Sequence, residues 1–356
     1  MDYRRRRFRG DGFRRAVMWA WSIVAAAGLT GTAQADEEPT ADTRPNLIFL
    51  LTDDVRFDAL GVMGNPVIET PNLDRLGEAG TVFTNCFCTT SICATSRASF
   101  LTGQYAARHG IVDFRAPLDD AQFAESFPAL LAEAGYQTAF VGKWGLGGPL
   151  PEAEYDAWHG FSGQGRYYAK DDAGTVDHSE HLTHRLGDEA VAFLESCGEE
   201  RPFLLQMSFK AAHCQDGDPW QFQPDMRYRE RYADVVIPTP LTANDGAFAK
   251  LPALLQESEA RRRWELRFAD AEMFQNTVKD YYRLITGVDD VVGRLRAALA
   301  ERGFAENTVI VFTSDNGFYL GEHGLAGKWF MHEESIRLPL VIFDPRVTGG
   351  GRREEL

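Results

Sequence analysis

Asn46-Leu-Ile-Phe-Leu-Leu-Thr52 is an unbroken apolar run that halts at Asp53-Asp54. A strand without polar alternation is covered on both faces, the condition of a parallel sheet lying between helices. A second run, Asn307-Thr-Val-Ile-Val-Phe-Thr313, stops in the same way at Ser314-Asp315-Asn316-Gly317. Between them, the run from Tyr136 to Val141 leads into Gly142-Lys143-Trp144, and the run from Pro202 to Phe209 leads into Lys210-Ala-Ala-His213. Helical patterns at 73–79, 127–134, 184–197 and 281–302 separate the runs. The alternation predicts an α/β domain with a mainly parallel central sheet flanked by helices. Such sheets bind ligands outside the carboxyl ends of their strands, where Asp53, Asp54, Lys143, His213, Asp315 and Asn316 are expected to gather.

Charges collected at one sheet edge need mutual compensation or a bound ion. Taken singly, each residue has a plainer reading: acids cap helices and lysines solvate faces. Four strands ending in charge favour the ion. Three carboxylates and an amide oxygen form a hard-oxygen set suited to Ca²⁺ or Mg²⁺.

Ser91-Ile-Cys93-Ala-Thr-Ser-Arg97-Ala-Ser-Phe-Leu-Thr-Gly103 reads as a loop entering a short helix that closes at Gly103. Cys93 then stands at the helix start, where free N–H groups favour an anion or an anionic nucleophile, with Arg97 one turn on. Cys86 and Cys88, just upstream, are better read as a disulfide or buried thiols. Five cysteines in all leave one unpaired.

The Cys-x-x-Ser-Arg core followed by Ala-Ser-Phe-Leu-Thr-Gly resembles the signature of type I sulfatases, which belong to the alkaline phosphatase-like superfamily. This chain has Thr95 at the third position, where the family has Pro or a small residue. Arg44 to Asp54, Thr70-Pro-Asn-Leu-Asp-Arg-Leu76, Gly142-Lys-Trp144 and Ser208 to His213 resemble further blocks. So do Thr313-Ser-Asp-Asn-Gly317, Leu320-Gly-Glu-His-Gly324 and the stretch from Lys328 to Arg337. Their order from Arg44 to Pro345 is more specific than any one of them.

The resemblance implies that a maturase oxidises Cys93 to formylglycine, whose hydrated form attacks a sulfate ester and later expels sulfate by regenerating the aldehyde. It implies a divalent ion, usually Ca²⁺ and less often Mg²⁺, held by Asp53, Asp54, Asp315, Asn316 and the residue derived from Cys93. Arg97, Lys143 and Lys328 would balance charge on the sulfuryl group, and His213 would assist the leaving oxygen. Lys210 is as readily a solvated cation at a strand end, and His323 a structural residue. The implied substrate is a small-molecule or carbohydrate sulfate ester. A phosphate or phosphonate monoester hydrolase, and a non-catalytic anion- or glycan-binding protein, are the competing readings.

Two departures stand out. Many family members read Gly-Lys-Trp-His where this chain has Gly145, and that histidine deprotonates the nucleophile during sulfate release. His178, His181 and His184, spaced by three, are candidates to replace it if they share a helical face. The second departure is the C-terminus. After an apparent strand at 338–343 the chain ends in a tail, 347–356, whereas relatives continue into a small antiparallel domain that is expected to be missing. The catalytic domain is expected at 44–346, with 220–275 as an insertion over the site that selects the substrate.

Residues 1–35 read as an export signal: an arginine-rich start, an apolar stretch from Ala16 to Leu29, and Ala33-Gln-Ala35 as the cleavage site, followed by a linker at 36–43. The apolar stretch is shorter than the roughly 20 residues of a spanning helix, so no stable membrane anchor is expected and the mature chain is periplasmic or secreted. The segment holds seven Arg against two Asp, so cleavage moves the net charge from −15 to −20. So acidic a protein is not a general nucleic-acid binder, and any anion site in it rests on a few local cations.

Overall fold

The computed structural model describes residues 43–347 and 351–353. The expected export signal and nearly all of the linker lie outside the described residues. The central sheet has eight strands: β1 (Asn46–Thr52), β2 (Thr81–Phe87), β3 (Gln137–Lys143), β4 (Ala157–Phe161), β5 (Phe203–Ser208), β6 (Thr308–Ser314), β7 (Arg337–Phe343) and β8 (Gly351–Arg353). Their order across the sheet is β8-β2-β7-β6-β1-β5-β3-β4. β1 runs parallel to β5 and β6, and β3 runs parallel to β5 and β4. β7 alone is antiparallel to both of its neighbours, β2 and β6. The sheet is therefore mainly parallel, as the apolar runs require.

Register brings the polar ends level. Thr52 pairs with Ser314, so Asp53 and Asp315 follow side by side. Leu51 and Gly142 both pair with Ser208, which sets Lys143 beside the same edge.

Helices cover both faces: α1 (Pro71–Ala79), α2 (Cys93–Thr102), α3 (Phe127–Glu133), α4 (Leu182–Ser196), α5 (Glu259–Arg267) and α6 (Ala271–Glu301). α4 and α6 pack together over the sheet, with Leu186, Val288 and Val291 in one buried cluster with Phe203, Leu205 and Met207. α6 starts ten residues before its apolar periodicity at Tyr281, because the Asp270 side chain accepts a hydrogen bond from the Met273 amide and caps it there. Asp289, on α6, accepts from the amides of Asn72 (3.0 Å) and Leu73 (2.8 Å), which ties the start of α1 to α6.

Two expectations are corrected here. α4 begins at Leu182 with His181 as its cap, so His178, His181 and His184 do not share a helical face. Of the two readings open for Cys86 and Cys88, the structure has free thiols, Cys88 buried and Cys86 half-buried. The expected tail contributes a strand, because β8 pairs with the outer edge of β2, Gly351 opposite Thr81, and satisfies backbone groups that an edge leaves open.

Residues 220–275 form loops and short helices ending in α5. Phe248, Leu251 and Leu255 from this segment pack with Trp329 and Phe330 around buried Ala260, Tyr319 and Leu325, so it covers the loop that carries Lys328. No helix among the described residues is long and apolar enough to cross a membrane.

Candidate active site

Cys93 is the first helical residue of α2, after Ile92 in extended conformation. The Ser91 hydroxyl donates to the Ser335 carbonyl (2.8 Å) and fixes the loop before the helix. This aims the thiol at the end of β1. Its Sγ lies 3.3 Å from Asp53 Oδ1 and accepts from Lys328 Nζ at 2.7 Å. Lys328 is also paired with the Asp54 carboxylate and stands 3.6 Å from Asp53.

Arg97, one turn along α2, bridges the two strand ends. Its Nε donates to Asp315 Oδ2 (2.9 Å), and its Nη1 donates to the Lys143 carbonyl (2.8 Å) and the Ser208 hydroxyl (2.5 Å). Its Nη2 reaches Asp53 Oδ2 at 3.3 Å. Lys143 pairs with the Asp53 carboxylate and donates to Gln164 Oε1 at 2.6 Å. His213 places Nε2 3.8 Å from Asp54 Oδ2, while its other ring nitrogen, Nδ1, is 2.7 Å from the Cys214 carbonyl. A carbonyl only accepts, so Nδ1 carries a proton and Nε2 faces the site.

All nine residues singled out in the sequence, Asp53, Asp54, Cys93, Arg97, Lys143, His213, Asp315, Asn316 and Lys328, are buried at this one place. Lys210 is not a solvated cation: it is buried, with Nζ 3.3 Å from the Cys214 carbonyl and 4.8 Å from the centre of the Tyr167 ring. The turn into His213 folds it inward, behind the histidine. His323 stacks on His332 and lies 3.6 Å from Glu334, away from the centre. His181 bonds the Gln223 carbonyl and His184 bonds Tyr228, so neither replaces the histidine missing at position 145.

Gly145 has φ +77°, and a β-carbon there would stand 2.6 Å from Arg97 Cδ and 2.9 Å from Nε. A histidine at this position would push Arg97 off Asp315 and Asp53. The glycine and the course of Arg97 go together.

Burying an unpaired ion costs several kcal/mol, so these groups stand only by neutralising one another. Burial works to raise the pKa of Asp53, yet Lys143, His213, Lys328 and Arg97 hold it well below the usual carboxylate range. Burial raises Asp54 to about 6 against the pull of Lys328, and burial with Asp53 raises Asp315. Burial, then Asp53, pushes the Cys93 thiol well above its ordinary value. The helix start was expected to favour an anionic sulfur, but burial and facing carboxylates outweigh it. The unmodified side chain is a thiol and a poor nucleophile.

The donors fit a divalent cation. One ligand atom from each of Asp53, Asp54, Cys93 and Asp315 lies within 4.8 Å of the others, all buried. Asn316 Nδ2 donates to Asp54 and to the Gly317 carbonyl, which leaves buried Oδ1 without a hydrogen-bond partner. An orphaned amide oxygen beside three carboxylates is a hard-oxygen ligand in waiting.

The sulfatase family model matches residues 45–356. The chain belongs to the sulfatase family. An N-acetylglucosamine-6-O-sulfatase of Bacteroides thetaiotaomicron is 31% identical over 389 residues, covering 92% of this chain and 67% of that protein. An ulvan-active sulfatase of Formosa agariphila is 29% identical, covering 93% of this chain and 62% of its own length. Among solved structures, a protein in complex with its substrate D-glucosamine-2-N,6-O-disulfate has a TM-score of 0.71 at 30% identity, with 87% of this chain and 73% of that chain covered. A phosphonate monoester hydrolase of Silicibacter pomeroyi also has a TM-score of 0.71, at 23% identity over 87% of this chain and 70% of its own, a likeness of fold. This sulfatase spans about two thirds of the length of the curated relatives it matches.

Three residues around this site escape a reading by motif: Gln164, Tyr167 and Tyr281. Ser208 and Gln164 take up Arg97 and Lys143. The Tyr167 hydroxyl donates to the His213 carbonyl and the Tyr281 hydroxyl to the Asp54 carbonyl, both at 2.7 Å. Ser208 had a signal, as the first residue of the block that ends at His213.

Proposed function

We propose that the chain hydrolyses sulfate monoesters, of a carbohydrate or an aryl alcohol, with a formylglycine made from Cys93 and a Ca²⁺ ion held by Asp53, Asp54, Asp315 and Asn316. The observation that carries this reading is Cys93 at the start of α2, wedged between Asp53 and Lys328. A divalent ion and a hydrated aldehyde would supply, respectively, charge for the transferring group and the attacking oxygen.

The protein's own side chains would do the rest. Lys328 and Lys143, each already beside an aspartate of the site, offer ammonium donors to sulfuryl oxygens. Arg97 holds Asp53 and Asp315 in place and keeps the two strand ends together. His213 acts on the leaving oxygen through Nε2 only as the imidazolium, since the proton of the neutral ring is on Nδ1: burial opposes that second proton, and Asp53 together with the negative charge developing on the oxygen favours it.

Charge supports sulfate over a phosphate monoester. Asp53, Asp54 and Asp315 pair directly with Arg97, Lys143 and Lys328, three against three, and a further buried cation, Lys210, lies outside this set on the Cys214 carbonyl and the Tyr167 ring. The two positive charges of the ion then meet one anionic nucleophile and one ester charge. A sulfate monoester carries one; a phosphate monoester carries up to two and leaves a buried charge uncompensated. Export with cleavage near Ala35 and a carbohydrate substrate belong to the same reading, supported by the arginine-rich start, the apolar stretch from Ala16 to Leu29 and Ala33-Gln-Ala35, and by the sugars in the relatives' names.

Mass spectrometry of the peptide containing Cys93, after coexpression with a formylglycine-generating maturase, is expected to show a loss of about 18 Da. An unaltered thiol under those conditions favours a non-catalytic binding protein instead.

A further inference from the structure

Gln164 stands three residues past the end of β4, on a loop at the same sheet edge as Lys143. Gly165 gives that loop its fold: φ is +65°, and a β-carbon would lie 2.6 Å from the Phe161 ring, so only glycine lets the chain turn back over β4. The turn delivers the Gln164 amide to the Lys143 ammonium, 2.6 Å from Oε1. An ammonium donates only, so the oxygen faces Lys143 and the orientation of the amide is fixed by chemistry. Nε2 is thereby turned away from Lys143 and has no hydrogen-bond partner among the described residues. Lys143 is fully buried whereas Gln164 is partly exposed, so the amide links the buried lysine to the solvent side of the loop.

The same loop reaches the other flank of the site, since Tyr167, three residues on, donates to the His213 carbonyl. The sulfuryl group belongs at the buried centre among Cys93, Lys143 and Lys328. The remainder of the ester is placed on the His213 side, the flank this loop reaches, since His213 (6%) and Lys328 (5%) are the most exposed of the nine site residues.

We propose that Gln164 is a specificity-determining residue: its Nε2 donates to an oxygen of the alcohol part of the ester, so the site prefers oxygen-bearing, carbohydrate-like alcohols over bare aryl groups. This rests on the sulfate-ester reading above. Gln164 is anchored through Oε1 and offers a neutral donor, which suits a hydroxyl or an amide carbonyl and loses no binding energy to reorienting a free side chain.

The test is calorimetric binding to full-length Cys93→Ala protein with Ca²⁺, which has no attacking oxygen and cannot turn over. The ligands are N-acetylglucosamine 6-sulfate and 4-nitrophenyl sulfate, both monoanions, so charge effects cancel in their ratio. Gln164→Ala is expected to weaken the sugar sulfate about 10-fold more than the aryl sulfate, any loss through Lys143 being common to both. Gln164→Glu keeps an acceptor for Lys143 but loses the donors; it should show the same selective loss, and it stands in if the alanine variant does not fold. Equal losses for both ligands would mean that Gln164 only positions Lys143 and would overturn the proposal, as would no loss for either. If the parent protein binds neither ester, the sulfate-ester reading falls too, so the two failures are distinguishable.

Discussion

Cys93→Ala is expected to lower sulfate-ester turnover by at least about 10⁴-fold, the scale on which removing a nucleophile acts. The alanine methyl cannot be converted to an aldehyde and offers no attacking oxygen. The fold should survive. The thiol is fully buried but among the described residues its hydrogen bonds are to Asp53 and Lys328 alone, and Lys328 keeps its pairing with Asp54 when the sulfur is gone. Melting within a few degrees of the parent protein, with turnover lost, is the expected pair of results. Turnover retained in the variant would refute the nucleophile assignment.

Removing divalent ions is expected to abolish turnover and to lower the melting temperature together. An ion that binds only the folded state adds about 2.7 kcal/mol at a concentration 100 times its dissociation constant. For a chain of this size that corresponds to roughly 5 °C. The ligands come from two separate strand ends, Asp53 and Asp54 after β1 and Asp315 and Asn316 after β6, which are joined otherwise through Arg97, the hydrogen bonds of Asn316 to Asp54 and of the Asp54 amide to Asp315, and the ladder between those strands. Chelation should therefore loosen the sheet edge as well as the chemistry, and Ca²⁺ should restore both. A melting temperature and turnover unmoved by thorough chelation would contradict a resident ion.

Most of the sheet was legible because parallel strands buried on both faces leave unbroken apolar runs, and their carboxyl ends mark where function gathers. That is why Asp53, Lys143, His213 and Asp315 could be named together before their geometry was known. What the linear pattern hides is set by register and turns. Gln164 meets Lys143 only because β4 pairs in parallel with β3, and β4 is a short, half-exposed edge strand with no strong apolar signal. Lys210 read equally as a solvated cation at a strand end or as a binding residue, because a position after a strand does not say which way the turn before His213 folds it, and that turn buries it. The three histidines at 178, 181 and 184 were spaced for a helix that begins only at Leu182, and spacing outside a helix carries no facing rule. Gly145 read as a loss; with Arg97 Cδ 2.6 Å from where its β-carbon would be, it is the complement of the arginine.

The central claim, hydrolysis of a sulfate monoester by a site whose charges match one ester charge, is tested most directly by a comparison of 4-nitrophenyl sulfate with 4-nitrophenyl phosphate. The matured protein, loaded with Ca²⁺, should have a kcat/KM for the sulfate at least about 10-fold above that for the phosphate, since one uncompensated buried charge costs more than 1.4 kcal/mol. A strong preference for the phosphate ester would contradict the account.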